Sequence, residues 1–224
     1  MTWSTPAYQP HLTHSDWKWI GLGPPGGIQL SSGRLLIPAY HTIKWKGDGC
    51  DSRGHIVYSD DHGATWSLGS EDFGAPYLAN ECQAVELKNG SVMINARTVT
   101  NARVQVISDD GGLTFGEPYV PETLHQPLEG CEGSIVRDSV NDILYFSDPF
   151  STSVVRMNMT ILQSKDEGLT WQHLVTVDRG AVAYSSMQII PGKQELEILY
   201  ERSNVTQLVF DPDEIVYWKV HTKL

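Results

Sequence analysis

Apolar positions along the chain fall into short runs of about four to eight residues, cut off by Gly, Pro, Asn, Asp and Ser. "GRLLIPAY", "HIVYSD", "CQAVEL", "SVMINAR", "VQVIS", "GSIVRD", "ILYFSDP", "MTILQS", "HLVTV", "SMQII", "LEILYE", "TQLVF" and "IVYWKV" all read as strands, and helical periodicity is hard to find. The pattern predicts an all-β chain. "LKNGSV" predicts a hairpin with Asn89-Gly90 in a type I′ turn. "IIPGKQELEI" predicts a second, turning at Pro191-Gly192.

A longer period lies over the strands. "SDDHGATW" (59–66) returns as "SDDGGLTF" (108–115) and "SKDEGLTW" (164–171), in general S-x-D-x-G-x-T-(W/F). The motif glycines, Gly63, Gly112 and Gly168, are 49 and 56 residues apart. A repeat of this length predicts an array of small sheets such as propeller blades. Each unit reads as a hairpin, a third strand, the motif and a fourth strand, so about four blades are expected. Asp61, Asp110 and Asp166 are expected to accept backbone N–H groups of their own turns, Gly to supply positive φ, and the aromatic residue to anchor the blade. A calcium or catalytic role for these aspartates finds no second ligand nearby. "MTWSTPAY" matches the back half of the motif, with a strand expected after Thr2-Trp3, which suggests a chain beginning inside a unit.

Composition narrows the function. With 224 residues the chain can bury a sizeable core. A net charge of −11 without a basic run argues against nucleic acid as a partner. Cys50, Cys82 and Cys131 are an odd count in no zinc spacing and read as buried or free thiols. No run is long and apolar enough to cross a membrane, and no targeting segment is legible at the N-terminus. The sequons at Asn89, Asn158 and Asn204 hint weakly at a secretory route.

The repeated turns resemble the Asp boxes of the sialidase (neuraminidase) family. "ECQAVELKNGSVMINAR" resembles the stretch running from that family's catalytic Glu to a triad Arg, and "GCEGSIV" its C-x-G-S strand. "VVRMNMTILQSKDEGLTW" is similar to the segment with the third triad Arg, "AVAYSSMQII" to that with the nucleophilic Tyr, and "LEILYER" to a late L-Y-E strand. The resemblance covers essentially all of residues 1–224, taken as one propeller domain, and is closest to the lysosomal animal and bacterial exo-sialidases. It implies a six-bladed propeller of which about four blades stand here.

The resemblance also implies roles. Tyr184 would be the nucleophile and Glu81 its general base. Arg97 and Arg156 would clamp the substrate carboxylate, and Glu201 would orient the first triad arginine. The residue types suit the chemistry. Sialic acid carries a carboxylate on its anomeric carbon, which repels a carboxylate nucleophile but not a neutral tyrosine; sialidases are themselves the known Tyr-nucleophile exception among glycosidases. The phenol needs a base, and the planar fork of Arg pairs with a carboxylate. Glu132, Arg103 and His55 receive no role. No cofactor or metal is implied. The partner would be a sialylated glycoconjugate, with membrane contact only through gangliosides. The resemblance sets no oligomeric state and places the parent protein in the lysosome or outside the cell.

Two family elements are missing. The F-R-I-P-like motif with the first arginine and the acid/base aspartate after it do not occur, and "LIPAY" (36–40) is an echo without Arg. An open stack of blades lacking them is expected to be poorly stable or inactive alone. The competing classes are a non-catalytic sialic-acid-binding or protein-binding propeller and an Asp-box receptor propeller.

Overall fold

A computed structural model describes residues 3–24, 26–46, 49–190, 192–193, 195–205 and 211–221. The expected strand "TQLVF", Pro191 of the second hairpin turn and Thr2 lie outside them. Among the described residues the only helical turns are two short 3-10 segments, Pro10–Leu12 and Ala75–Tyr77. Everything else regular is strand, so the chain is all-β as its pattern predicts.

Among the described residues fourteen strands form three antiparallel sheets. The first holds β1 (Trp19–Leu22), β2 (Ile28–Gln29), β3 (Leu35–Lys46), β4 (Gly49–Ser59) and β5 (Ser67–Phe73). The second holds β6 (Cys82–Glu86), β7 (Val92–Ala96) and β8 (Val104–Ser108). The third holds β9 (Ser134–Asp138), β10 (Ile143–Pro149), β11 (Met157–Ser164), β12 (Gln172–Ile190), β13 (Glu195–Ser203) and β14 (Glu214–His221). The grouping is five, three and six rather than successive fours, and the third sheet shows why. The 19-residue β12 pairs with β11 through its first half and with β13 through its second, joining two units in one ladder.

The sheets stack face to face because their inner strands are apolar on both sides. Ala84, Val92 and Ile94 pack towards Leu36, Ile56 and Phe73 of the first sheet. Their neighbours Val85 and Met93 point the other way, onto Ile135, Leu144 and Phe146 of the third. Ile143 and Tyr145 then turn to a third cluster with Val182, Leu196 and Ile198. Period-two alternation thus feeds two cores from one strand, and the strand pattern is a near-continuous buried run, as in β7 and β10. Side chains also replace missing ladder bonds between inner strands. Gln83 Oε1 accepts Ile135 N–H at 2.5 Å, and Ser134 Oγ accepts Met187 N–H at 2.9 Å.

The three repeated turns share one geometry. The serine hydroxyl donates to the aspartate Oδ1 at 2.8 Å in each, and accepts the motif glycine N–H at 2.8–2.9 Å. Asp61, Asp110 and Asp166 each also take the backbone N–H and the hydroxyl of the motif threonine. The hydroxyl contact ties the motif threonine into the turn. These bonds hold the Asp61 and Asp110 carboxyls down at about 2, against the opposing effect of burial, which is the largest influence on Asp110. The motif glycines have φ of 86–91°, and the residue before each, His62, Gly111 or Glu167, is left-handed too. Trp171 is 4% exposed and packs edge-on against Phe146, whereas Trp66 is only half-buried.

Three expectations are corrected. Gly90 has φ 88° but Asn89 is not left-handed, so the hairpin is not type I′. Leu87 N–H reaches Ser91 O across a three-residue loop, and Asn89 Oδ1 takes the Ser91 N–H. The fourth strand after the second motif shrinks to two isolated bridges, Gln105 with Tyr119 and Ala102 with His125, because Gly116 and Pro118 interrupt the ladder. No strand follows Trp3, which is 99% exposed; Pro6 and Pro10 flank a segment without a pairing partner.

In the first sheet His41 and His55 are both fully buried, with their Nδ1 atoms 3.1 Å apart. Trp17 stacks on His41 at 3.8 Å, and His41 Nε2 meets Asp72 at 3.2 Å. Burial, then the charges of His41 and His14, push His55 down to about 3. The unfolded chain binds that proton near 6.5, so stability falls as pH drops from about 6.5 towards about 3. Chemical denaturation across this range is expected to show a shallower pH slope in His55→Leu. In thermal unfolding, Trp171→Ala is expected to cost about 3–5 kcal/mol and Trp66→Ala clearly less.

Candidate active site

The β6–β7 hairpin brings Glu81 and Arg97 together across 16 residues of sequence. Beyond the Cys82–Ala96 pair the ladder continues, with Arg97 N–H on Glu81 O at 2.8 Å. The two side chains thus form a cross-strand pair of opposite charge. Arg97 Nη1 lies 2.6 Å from Glu81 Oε2, and their side chains are only 18% and 12% exposed.

Tyr184 reaches this pair from the middle of β12. The β12–β13 register jumps from Val182–Arg202 to Ser185–Tyr200, so Ala183 and Tyr184 together oppose Glu201. Such a bulge re-aims a side chain and frees a backbone N–H from the ladder. The Glu201 carboxylate takes the freed N–H of Tyr184 at 3.2 Å. The re-aimed phenol donates to Glu81 Oε1 and lies 3.4 Å from Arg97 Nη1. Arg156, just before β11, has its guanidinium 5.6 Å from the Tyr184 ring centroid, in cation–π range. All five residues singled out from sequence as chemical or substrate-binding therefore meet in one place. Asp61, Asp110 and Asp166 stay with their turns.

Charge shapes the site. Burial, followed by the Glu81 carboxylate, raises the Tyr184 phenol far above the ordinary tyrosine range. Burial works against the Arg97 charge, but Glu81 outweighs it and holds Arg97 above its usual value. The phenol is neutral and the guanidinium charged at physiological pH.

Other residues at the site carry no side-chain signature in the sequence. Glu129 O accepts Arg97 Nε and Nη2 at 3.3 and 2.9 Å, Gly130 O accepts Arg156 Nη2 at 3.1 Å, and Cys131 O accepts Arg103 Nη1 at 2.7 Å. Glu132, 1% exposed, accepts Ser185 N–H at 2.9 Å. Fully buried Arg103 also contacts Asp148 at 3.2 Å. Burial pushes the Glu132 and Asp148 carboxyls well up despite Arg103. The "GCEG" stretch was the one available signal.

A cavity of about 300 Å³ opens beside Glu81 and Arg97, walled by Trp19, Tyr40, Thr42, Ser52 and Asn80. A larger one, about 760 Å³, lies at the other end of the inner strands, among Glu86, Arg137, Asp138 and Lys193. Its Arg137 is neutralised by Glu167 and Asp142, and its Glu86 is held by Ser31. Of the residues singled out from sequence, Glu81 and Arg97 line the smaller cavity. Among the described residues no group of three or more His, Cys, Asp or Glu is placed to hold a metal ion.

Known proteins agree with this architecture. Residues 1–195 match the family described as BNR repeat-like domain. Sialidase-2 of Cricetulus griseus is 32% identical over 218 residues, 88% of this chain and 56% of the relative. Sialidase-3 of Mus musculus is 39% identical over 129 residues, 54% of this chain and 30% of the relative. The chain thus spans about half the length, or less, of these curated relatives. Among solved structures, Hadza microbial sialidase Hz136 aligns with TM-score 0.72 at 29% identity, over 86% of this chain and 37% of its own. The NanB sialidase of Streptococcus pneumoniae aligns with TM-score 0.76 over 96% of this chain and 33% of its own; at 21% identity it speaks for the fold alone. Fold and relatives together define a β-propeller of the sialidase kind. The chain belongs to the BNR repeat-like domain family, as a member of the sialidases.

Tyr184 is expected to titrate later than an ordinary phenol. A difference ultraviolet titration of wild type against Tyr184→Phe checks this, and Glu81→Gln, which removes the neighbouring charge, is expected to bring the missing phenol back towards the normal range.

Proposed function

We propose that the protein is an exo-α-sialidase that releases terminal sialic acid from glycoproteins, oligosaccharides or gangliosides with retention of configuration. The observation that carries this reading is the Tyr184 hydroxyl seated on the Glu81 carboxylate, with Arg97 on the same carboxylate and Arg156 beside the ring. A phenol kept neutral approaches the anomeric centre of an anionic sugar without repulsion. As the glycosidic bond breaks, the Tyr184 oxygen bonds the anomeric carbon and its proton passes to Glu81. The aglycone oxygen leaves with the bond's electrons and takes a proton from an acid. Water then attacks the glycosyl-tyrosine, the phenolate leaves, and the proton on Glu81 returns to Tyr184. The water's own proton goes to the base left when the acid gave up its proton.

In this reading Arg97 and Arg156 present charged donors to the substrate carboxylate. Glu201, with one oxygen on the Tyr184 N–H, uses the other to orient a further arginine. The aspartates of the three turns are structural. The chain as given turns over substrate poorly on its own, lacking the F-R-I-P-like arginine and the aspartate acid.

The test is hydrolysis of a fluorogenic sialoside by the chain as given and by the protein extended upstream. Glu81→Gln is expected to lower kcat by about 10²–10⁴-fold, and Tyr184→Phe to abolish most turnover while sialic acid still binds. Arg156→Lys should act mainly on KM. Binding of sialic acid without turnover in any form would replace this reading with a non-catalytic binding propeller.

A further inference from the structure

Four consecutive residues, Glu129 to Glu132, each hold a different group at or beneath the site. The carbonyls of Glu129, Gly130 and Cys131 take Arg97, Arg156 and Arg103 in turn, and the Glu132 carboxylate takes the Ser185 N–H. The backbone is shaped for this. Glu129 and Gly130 are both left-handed, with φ of 69° and 76°. A Cβ on Gly130 would come within 2.5 Å of Thr98 O and 2.7 Å of Arg97 Cγ. Non-Gly residues in this conformation are uncommon and concentrate where a site needs a particular geometry.

Glu132 has the most consequential contact. The bulge takes Tyr184 out of regular pairing with β13, which resumes at Ser185–Tyr200, and a bulge can slide. Two glutamates pin it, Glu201 of β13 on the Tyr184 N–H and Glu132, from the segment before β9, on the Ser185 N–H. The Ser185 hydroxyl adds a contact to Ser147 at 2.8 Å. Glu201 belongs to the facing strand and moves with the bulge. Glu132 comes from the neighbouring unit, on the same four-residue stretch that holds both arginines.

We propose that Glu132 is a positioning residue, which sets where the Tyr184 hydroxyl stands relative to Arg97 and Arg156 by holding the bulge to the Glu129–Glu132 segment. It touches no reacting atom. What matters is the reach of its acceptor oxygen rather than its charge, and a buried carboxyl that resists ionisation fits that requirement.

The inference rests on the reading of Tyr184 as nucleophile, and the test separates the two. Glu132→Gln keeps an acceptor at the same reach, and Glu132→Asp keeps the carboxyl but draws it back from Ser185. Ser134→Ala removes the equivalent acceptor from Met187, two residues along the same strand. With the fluorogenic sialoside, Glu132→Gln is expected to stay within about threefold of wild type in kcat and Glu132→Asp to lose about 10²-fold, with KM little changed. Ser134→Ala should leave kcat unchanged whatever it does to stability. Equal losses in Glu132→Gln and Glu132→Asp, or a loss in Ser134→Ala as large as in Glu132→Asp, would overturn the proposal. If no form of the protein turns over, the sialidase reading fails, and crystal structures of the two Glu132 variants decide this one. It stands if Tyr184 leaves Glu81 in Glu132→Asp alone, and falls if Tyr184 stays on Glu81 in both.

Discussion

The architecture depends on inner strands that are buried on both faces. β6, β7 and β10 have no solvent side, so each sheet needs a neighbour on either hand, and the sheets stack in chain order. Ala84 and Val85, or Leu144 and Tyr145, belong to different cores although adjacent in sequence. That arrangement carries the starts of the inner strands towards a common place. Glu81, Glu132 and Tyr184 stand on successive inner segments and meet for that reason, although nothing local in the sequence links them.

The repeated turn serves the stacking from outside. Its hydrogen bonds are completed within eight residues, so each turn forms without help from the rest of the chain. Middle residues of the turn reach beyond it, Gly112 O taking the Ser70 N–H and Glu167 taking Arg137, and so does the aromatic residue. Where that residue meets a full neighbour, as Trp171 meets Phe146, it is buried; Trp66 is less well covered. One local structure thus has unequal weight in the three places it occurs.

Much of this was legible in the sequence, and the gaps have physical causes. The buried strands are apolar runs and were found. The first-sheet strands β1 and β2 were not, because "WIGL" and "IQ" are too short to show a period. Asn89-Gly90 suggested a two-residue turn, but whether Asn89 turns left-handed depends on how its side chain bonds Ser91. The fourth strand of the second unit was expected by analogy with its neighbours, and Pro118 overrode the analogy. Tyr184, Glu81, Arg97, Arg156 and Glu201 could be singled out because a side chain has an identity in the sequence. The carbonyls of Glu129, Gly130 and Cys131 have none, and Glu132 looked like any glutamate beside glycines. The bulge at Ala183–Tyr184 could not be foreseen either, since "AVAYSSM" alternates like an ordinary strand.

Strand β12 has a consequence of its own. It is the fourth strand of one unit and the first of the next, without a break, and Tyr184 lies at the changeover. The two units therefore have no hinge between them. Pulling one away from the other means tearing a single ladder, so the last third of the chain is expected to melt as one cooperative block. A tyrosine placed there cannot follow one unit without feeling the other. The cost is that damage anywhere in that block reaches the hydroxyl.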